Sequence, residues 1–339
     1  MSETFPVPPS GASPPTPPAG LPLPGDFVGP ELARSPDTFV HELPLPVRAG
    51  LRGLLATIER GQEGPEIERG VREVLADATR RTLTALTSGP GLILLRGVPV
   101  EGRPRDAVAA LYAMMGRAIG QPVPQNLDGE RMTDVRDTGA DPSDPEVRLY
   151  RTRAEQDFHT DGADVIGLLC LRGAKAGGES RLVSSVRVYR KVCEARPDLA
   201  PLLFEPWFFH LPGGKARGLP EALPRPIAAF DGRKLETFFI GWYLRNAQAF
   251  DGVPRFDHAR RELLELYEAA ANDPSLALDM HFRPGDVQWL RNAFVLHKRT
   301  AYEDHPEPER KRHLLRLWLS VEGIDDATPR FSPEGGAPS

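Results

Sequence analysis

Cysteine is nearly absent from this sequence, with two among 339 residues. Cys170 and Cys193 cannot build a disulfide framework, so a hydrophobic core must hold the fold, and Cys170, inside an apolar run, reads as a small core residue. Long apolar runs are missing as well. No stretch approaches the roughly 18 consecutive apolar residues of a membrane helix. The N-terminus lacks a basic segment followed by an apolar one, so a secretory signal is not expected. Positive charge has no excess either: 42 Lys and Arg stand against 47 Asp and Glu, a net of -5. With no basic run, nothing argues for nucleic acid as a partner. These absences leave a cytoplasmic globular enzyme or binding protein, long enough to bury a large core.

Proline, by contrast, is plentiful, with 36 residues. Residues 1–24 are dominated by Pro, Ser and Gly, cannot bury enough apolar surface to offset their ordering entropy, and read as a disordered or polyproline-like tail. Residues 324–339 read as an equally loose tail, leaving one domain over 25–323. Within it, 46–88 reads as two helices: Leu51, Leu54, Leu55 and Ile58 share a face, as do Val71, Val74 and Leu75. Leu92-Ile93-Leu94-Leu95 reads as a buried strand, and a helix follows from near Asp106 to Gly120. Beyond Glu146 the signals are mostly strands: the run 165–173, a hairpin around Asp231-Gly232-Arg233, and the run 313–323. One amphipathic helix, 257–272, interrupts them. A few helices on many short strands give an α+β class with a β-sandwich or barrel at the centre.

Chemistry concentrates in the segment from Glu155 to Gly162, which contains His159-Thr160-Asp161. On an extended strand, residues two apart point to one side, so an imidazole and a carboxylate can aim at a common point. A third ligand from elsewhere would complete the two-His, one-carboxylate face of an oxygen-activating iron site. Among eight histidines, His297 is the best candidate, because Ala293 to Leu296 before it read as a buried strand. His210, His281 and His313 also border apolar runs but lack comparable companions.

Four features, in order, resemble the taurine dioxygenase (TauD/TfdA) family of 2-oxoglutarate-dependent oxygenases. They are Phe158-His159-Thr160-Asp161, then Gly177-Gly178-Glu179-Ser180 after the first core strand, His297 with Arg299-Thr300-Ala301 behind it, and the Arg312/Arg316 pair. The resemblance implies a double-stranded β-helix, or jelly roll, with flanking helices. It also implies iron(II) held by His159, Asp161 and His297, with 2-oxoglutarate as co-substrate and O2 as oxidant. Arg312 and Ser180 would receive the distal carboxylate of 2-oxoglutarate, a task suited to a planar, permanently charged guanidinium. Arg316 would lie nearer the iron and meet the other carboxylate or an anionic substrate. The implied reaction hydroxylates a small molecule while 2-oxoglutarate becomes succinate and CO2. Asp161 argues against halogenation, because halogenating relatives carry a small residue there to make room for chloride.

Candidate pocket residues are Gln125, Asn126 and Tyr150 before the ligand segment, and Tyr243, Arg245 and Gln248 beyond it. Asn292 reads either as a support for the site or as a turn former. A second reading is a cupin-like hydrolase or isomerase using zinc or manganese, since the same ligands bind those metals. It has no use for the Gly-Gly-x-Ser turn and arginine pair. A third is a sensor or scaffold that kept the fold without activity, against which the complete triad speaks. The partner is a small molecule, with no nucleic acid and no membrane; homo-oligomers occur in the family.

Overall fold

Strand alternation divides the molecule into layers. The computed structural model describes residues 16–18, 20–126, 128–142 and 147–324; the outer parts of both expected tails, 1–15 and 325–339, lie outside the described residues. In the strand His313–Ser320, Leu315, Leu317 and Leu319 face a helical layer, whereas Leu314, Arg316 and Trp318 face the opposite way. Ile93 and Leu95 join the helical side from Leu92–Arg96, and Leu92 joins the other.

Seven strands form the large sheet. Val40–Glu42 runs parallel to Leu92–Arg96, and Asp286–Arg291, Val165–Arg172 and His313–Ser320 continue it in antiparallel order. Gln121–Pro122 and Met132–Val135 both pair with the last of these. A second, four-stranded antiparallel sheet runs Leu278–Met280, Ser180–Ser184, Val295–Arg299, Gln156–His159. The two sheets share a core cluster in which Leu92, Ile166, Leu290 and Trp318 meet Leu182, Leu278 and Val295.

Helices Leu45–Glu59, Ala76–Thr87 and Arg105–Arg117 cover the outer face of the large sheet. Close packing there depends on Gly167, where an added Cβ would lie 2.2 Å from the Trp289 ring and 2.4 Å from the Tyr112 hydroxyl. The second helix expected in 46–88 is split into Pro65–Val74 and Ala76–Thr87. Leu75 leaves the helical conformation, at φ -99° and ψ 8°, and buries its side chain in the core.

Among the described residues after 146 there are three α-helices rather than one: Ser185–Ala195, Gly241–Ala247 and His258–Ala271. Val186 and Val188 alternate like a strand, which masks the first of these in the sequence. Ser184 decides it: its hydroxyl accepts from the Arg187 N–H at 3.3 Å and caps the helix start. That helix then packs on His258–Ala271 through Val188, Val192 and Leu263 in a second core cluster. No helix among the described residues is long and apolar enough to cross a membrane.

Candidate active site

His159 and His297 stand opposite each other in the antiparallel register of the small sheet. Residues so paired hold their Cβ atoms only about 5 Å apart, and the two imidazole rings have centroids 4.2 Å apart. Asp161 arrives differently, because the strand stops at His159. Asn292, at the turn between Asp286–Arg291 and Val295–Arg299, grips its backbone from both sides. The Asn292 Oδ1 accepts from the Asp161 N–H at 2.7 Å and its Nδ2 donates to the Asp161 carbonyl at 2.6 Å. Thr160 locks the same turn: its N–H donates to the Phe239 carbonyl at 2.8 Å, and its hydroxyl accepts from the Phe239 N–H at 2.9 Å. One ligand atom from each of His159, Asp161 and His297 then lies within 4.8 Å of the others.

Electrostatics prepare these groups for a cation. Burial and the neighbouring His297 push the His159 imidazole down to about 3, so it is neutral at physiological pH. Its Nδ1 donates to the Asp157 carbonyl at 2.7 Å, which leaves the Nε2 lone pair as donor, now accepting from the Gln156 amide at 3.1 Å. Burial alone would raise the Asp161 carboxyl. Arg316 and the two imidazoles outweigh it and hold Asp161 well below the usual carboxylate range. Its Oδ2 accepts from Trp318 Nε1 at 3.1 Å and from Arg316 Nη1 at 3.4 Å.

A narrow cavity opens on one side of the triad, lined by Ser180, Arg299, Arg312 and Arg316 together with both histidines. Arg312 is 5% exposed, and its Nη1 is enclosed without a hydrogen-bond partner. Burial lowers its pKa. Arg299, pushed down to about 10 by burial and by Arg312, has Nε and Nη1 unpartnered, while Nη2 donates to the Leu149 carbonyl at 3.3 Å. Unmatched buried guanidinium N–H groups are costly and mark a place built for an anion. The Ser180 hydroxyl bonds Gln288 at 3.1 Å at the same cavity. Gly178 makes the room: at φ +74°, an added Cβ would sit 3.1 Å from Arg312 Nε.

On the other side lies a cavity of about 380 Å³ that reaches His159 and Asp161. Gln125, Tyr150 and Tyr243 line it, as the sequence suggests, and Arg316 borders both cavities. Asn126, Arg245 and Gln248 do not line it. They bond Glu130, Glu268 and the Phe256 N–H respectively. Of the other histidines, His210 lines this cavity, His313 bonds Asp134 and His281 is exposed. Sequence reasoning gave no role to Arg225, Trp318 or Arg299. Arg299 had a signal, its place two residues after His297, whereas Arg225 had none beyond being an arginine.

Two imidazoles and one carboxylate thus converge beside a cavity lined by three arginines, a donor set that suits a non-haem iron. Residues 58–318 match the Taurine catabolism dioxygenase TauD, TfdA family, and the chain belongs to that family. It is a non-haem iron(II) dioxygenase that uses 2-oxoglutarate. It is 32% identical over 244 residues to FR-33289 synthase of Streptomyces rubellomurinus (strain ATCC 31215), covering 70% of this chain and 71% of that one. It is 28% identical over 229 residues to a uridine-5'-phosphate dioxygenase of Amycolatopsis sp, covering 63% and 80%. Its fold is similar to that of asparagine oxygenase in complex with Fe(II), 2S,3S-3-hydroxyasparagine and succinate, with TM-score 0.66, 20% identity and coverage of 83% and 93%.

Proposed function

We propose that His159, Asp161 and His297 hold the iron, and that Arg312 and Ser180, with Arg316 beside the metal, receive 2-oxoglutarate. The observation that carries the assignment is the buried, partnerless Nη1 of Arg312 in the narrow cavity that also reaches both histidines. A guanidinium there meets a distal carboxylate with charge-assisted hydrogen bonds. When bound, iron and 2-oxoglutarate supply the oxygen activation that hydroxylates the substrate and releases succinate and CO2. The chain's own work is positional. Asn292 fixes Asp161, the Asp157 carbonyl sets the tautomer of His159, and Trp318 and Arg316 orient the Asp161 carboxylate.

The substrate on this reading is a small anionic molecule bound in the larger cavity, next to the metal ligands. Among the described residues lining that cavity are three arginines, Arg148, Arg225 and Arg316, and one carboxylate, Asp161. The two packed sheets support a jelly-roll core in a single domain over the expected 25–323, and Leu23 and Ile324 are buried with it. Two free cysteines support a cytoplasmic location.

The test mixes iron(II) and 2-oxoglutarate with the protein without oxygen and reads the weak visible charge-transfer band of the chelate. Wild type should show the band and His297→Ala should lose it. Arg312→Ala should need at least tenfold more 2-oxoglutarate, since a charged hydrogen bond contributes about 1.5–3 kcal/mol. Iron-loaded wild type without a band would refute the assignment.

A further inference from the structure

Arg225 lies on the strand Ala222–Pro226, outside both main sheets, in a two-stranded ribbon with Pro206–His210. No part of the metal site requires an arginine there. Its guanidinium carbon sits 3.8 Å from the centroid of the Phe238 ring. The Nε is enclosed without a hydrogen-bond acceptor, and no carboxylate among the described residues pairs with the side chain. Burial lowers its pKa to about 10, which still leaves it protonated at neutral pH.

The other cations of the cavity are committed. Arg148 donates to the Gln125 carbonyl at 2.8 Å. Arg316 is held by Gln125 at 2.7 Å and by Asp161. Arg225 alone among the cavity's three arginines has no polar contact with a described residue. A half-buried cation without a counter-charge is unfavourable, and proteins place one in a cavity where a ligand supplies the missing charge. Contact with the Phe238 ring covers one side of the guanidinium and leaves N–H groups for an anion.

We propose that Arg225 is the receptor for the substrate's anionic group, a carboxylate or a phosphoryl group. Phe209, Leu223, Phe238 and Trp242 take the apolar body between that group and the metal ligands. This deepens the dioxygenase reading and rests on it for the identity of the cavity. The binding claim itself concerns only Arg225 and the anion.

The experiment titrates butyrate, butylphosphonate and neutral butyramide into oxygen-free protein by calorimetry, once with iron(II) and 2-oxoglutarate and once without. In wild type at least one anion should bind tenfold or more tightly than butyramide, and the tighter of the two names the chemical group. Arg225→Gln should abolish that margin while keeping the visible band, and Arg225→Lys should restore part of it. Equal binding of anion and butyramide by wild type overturns the proposal. So does an anion margin that survives in Arg225→Gln. A band missing from wild type overturns the metal-site assignment instead, and the titration without iron still decides the role of Arg225.

Discussion

Replacing Asn292 with Ala should cost both stability and metal affinity. The residue is 5% exposed, and its amide satisfies the N–H and the carbonyl of Asp161 at 2.7 Å and 2.6 Å. Each buried backbone group left unsatisfied costs about 1–3 kcal/mol, so losing both partners should cost about 2–6 kcal/mol. Asn292 has no positive φ, so Ala adds no backbone strain. Because the strand ends at His159, the backbone of Asp161 depends on this clamp and on the Thr160 contacts to Phe239, and supporting contacts of this kind are typically worth about 10- to 100-fold in metal affinity. Denaturant unfolding of the apo-protein reads the first effect, and iron(II) titration read by the visible band reads the second. Asn292→Asp keeps the acceptor for the Asp161 N–H but turns a carboxylate oxygen on its carbonyl, so it should recover only part of the loss. If Asn292→Ala unfolds within about 0.5 kcal/mol of wild type and binds iron equally well, the clamp has no energetic role and the reasoning fails.

Two further outcomes follow from close contacts. Gly178→Ala, at φ +74° with its Cβ 3.1 Å from Arg312 Nε, should displace that guanidinium. Weakening one charged hydrogen bond by about 1.4 kcal/mol raises the 2-oxoglutarate needed for half the visible band about tenfold, with iron affinity unchanged. Gly167→Ala drives a methyl group into Trp289 and Tyr112 on the helical side of the large sheet. It should cost about 1–3 kcal/mol in thermal or denaturant unfolding, while the iron and 2-oxoglutarate titrations of the folded protein stay as in wild type.

Much of the site is legible in the chain because its parts are short and local. His159-Thr160-Asp161, the glycine pair before Ser180 and the Arg312/Arg316 spacing are each read within a few residues. The long strands were equally plain: Val165–Arg172 is a nearly continuous apolar run and His313–Ser320 is rich in leucine, and period two places Arg316 with Trp318 on the inner face. Less legible was Ser185–Ala195, whose alternating valines hide a helix set by one cap and one neighbouring helix.

Tertiary structure decided what depends on distant partners. The ladder brings His297 beside His159, and a turn residue far along the chain, Asn292, fixes the third ligand where strand alternation has run out. Only the folded cavity separates Arg245, turned away to Glu268, from Arg225, stacked on Phe238 without a counter-charge. In sequence it was Arg245 that stood out, whereas Arg225 carried no signal. Residue chemistry and local spacing are written along the chain, whereas the partners that satisfy a charge, or leave it waiting, come from elements that meet only after folding.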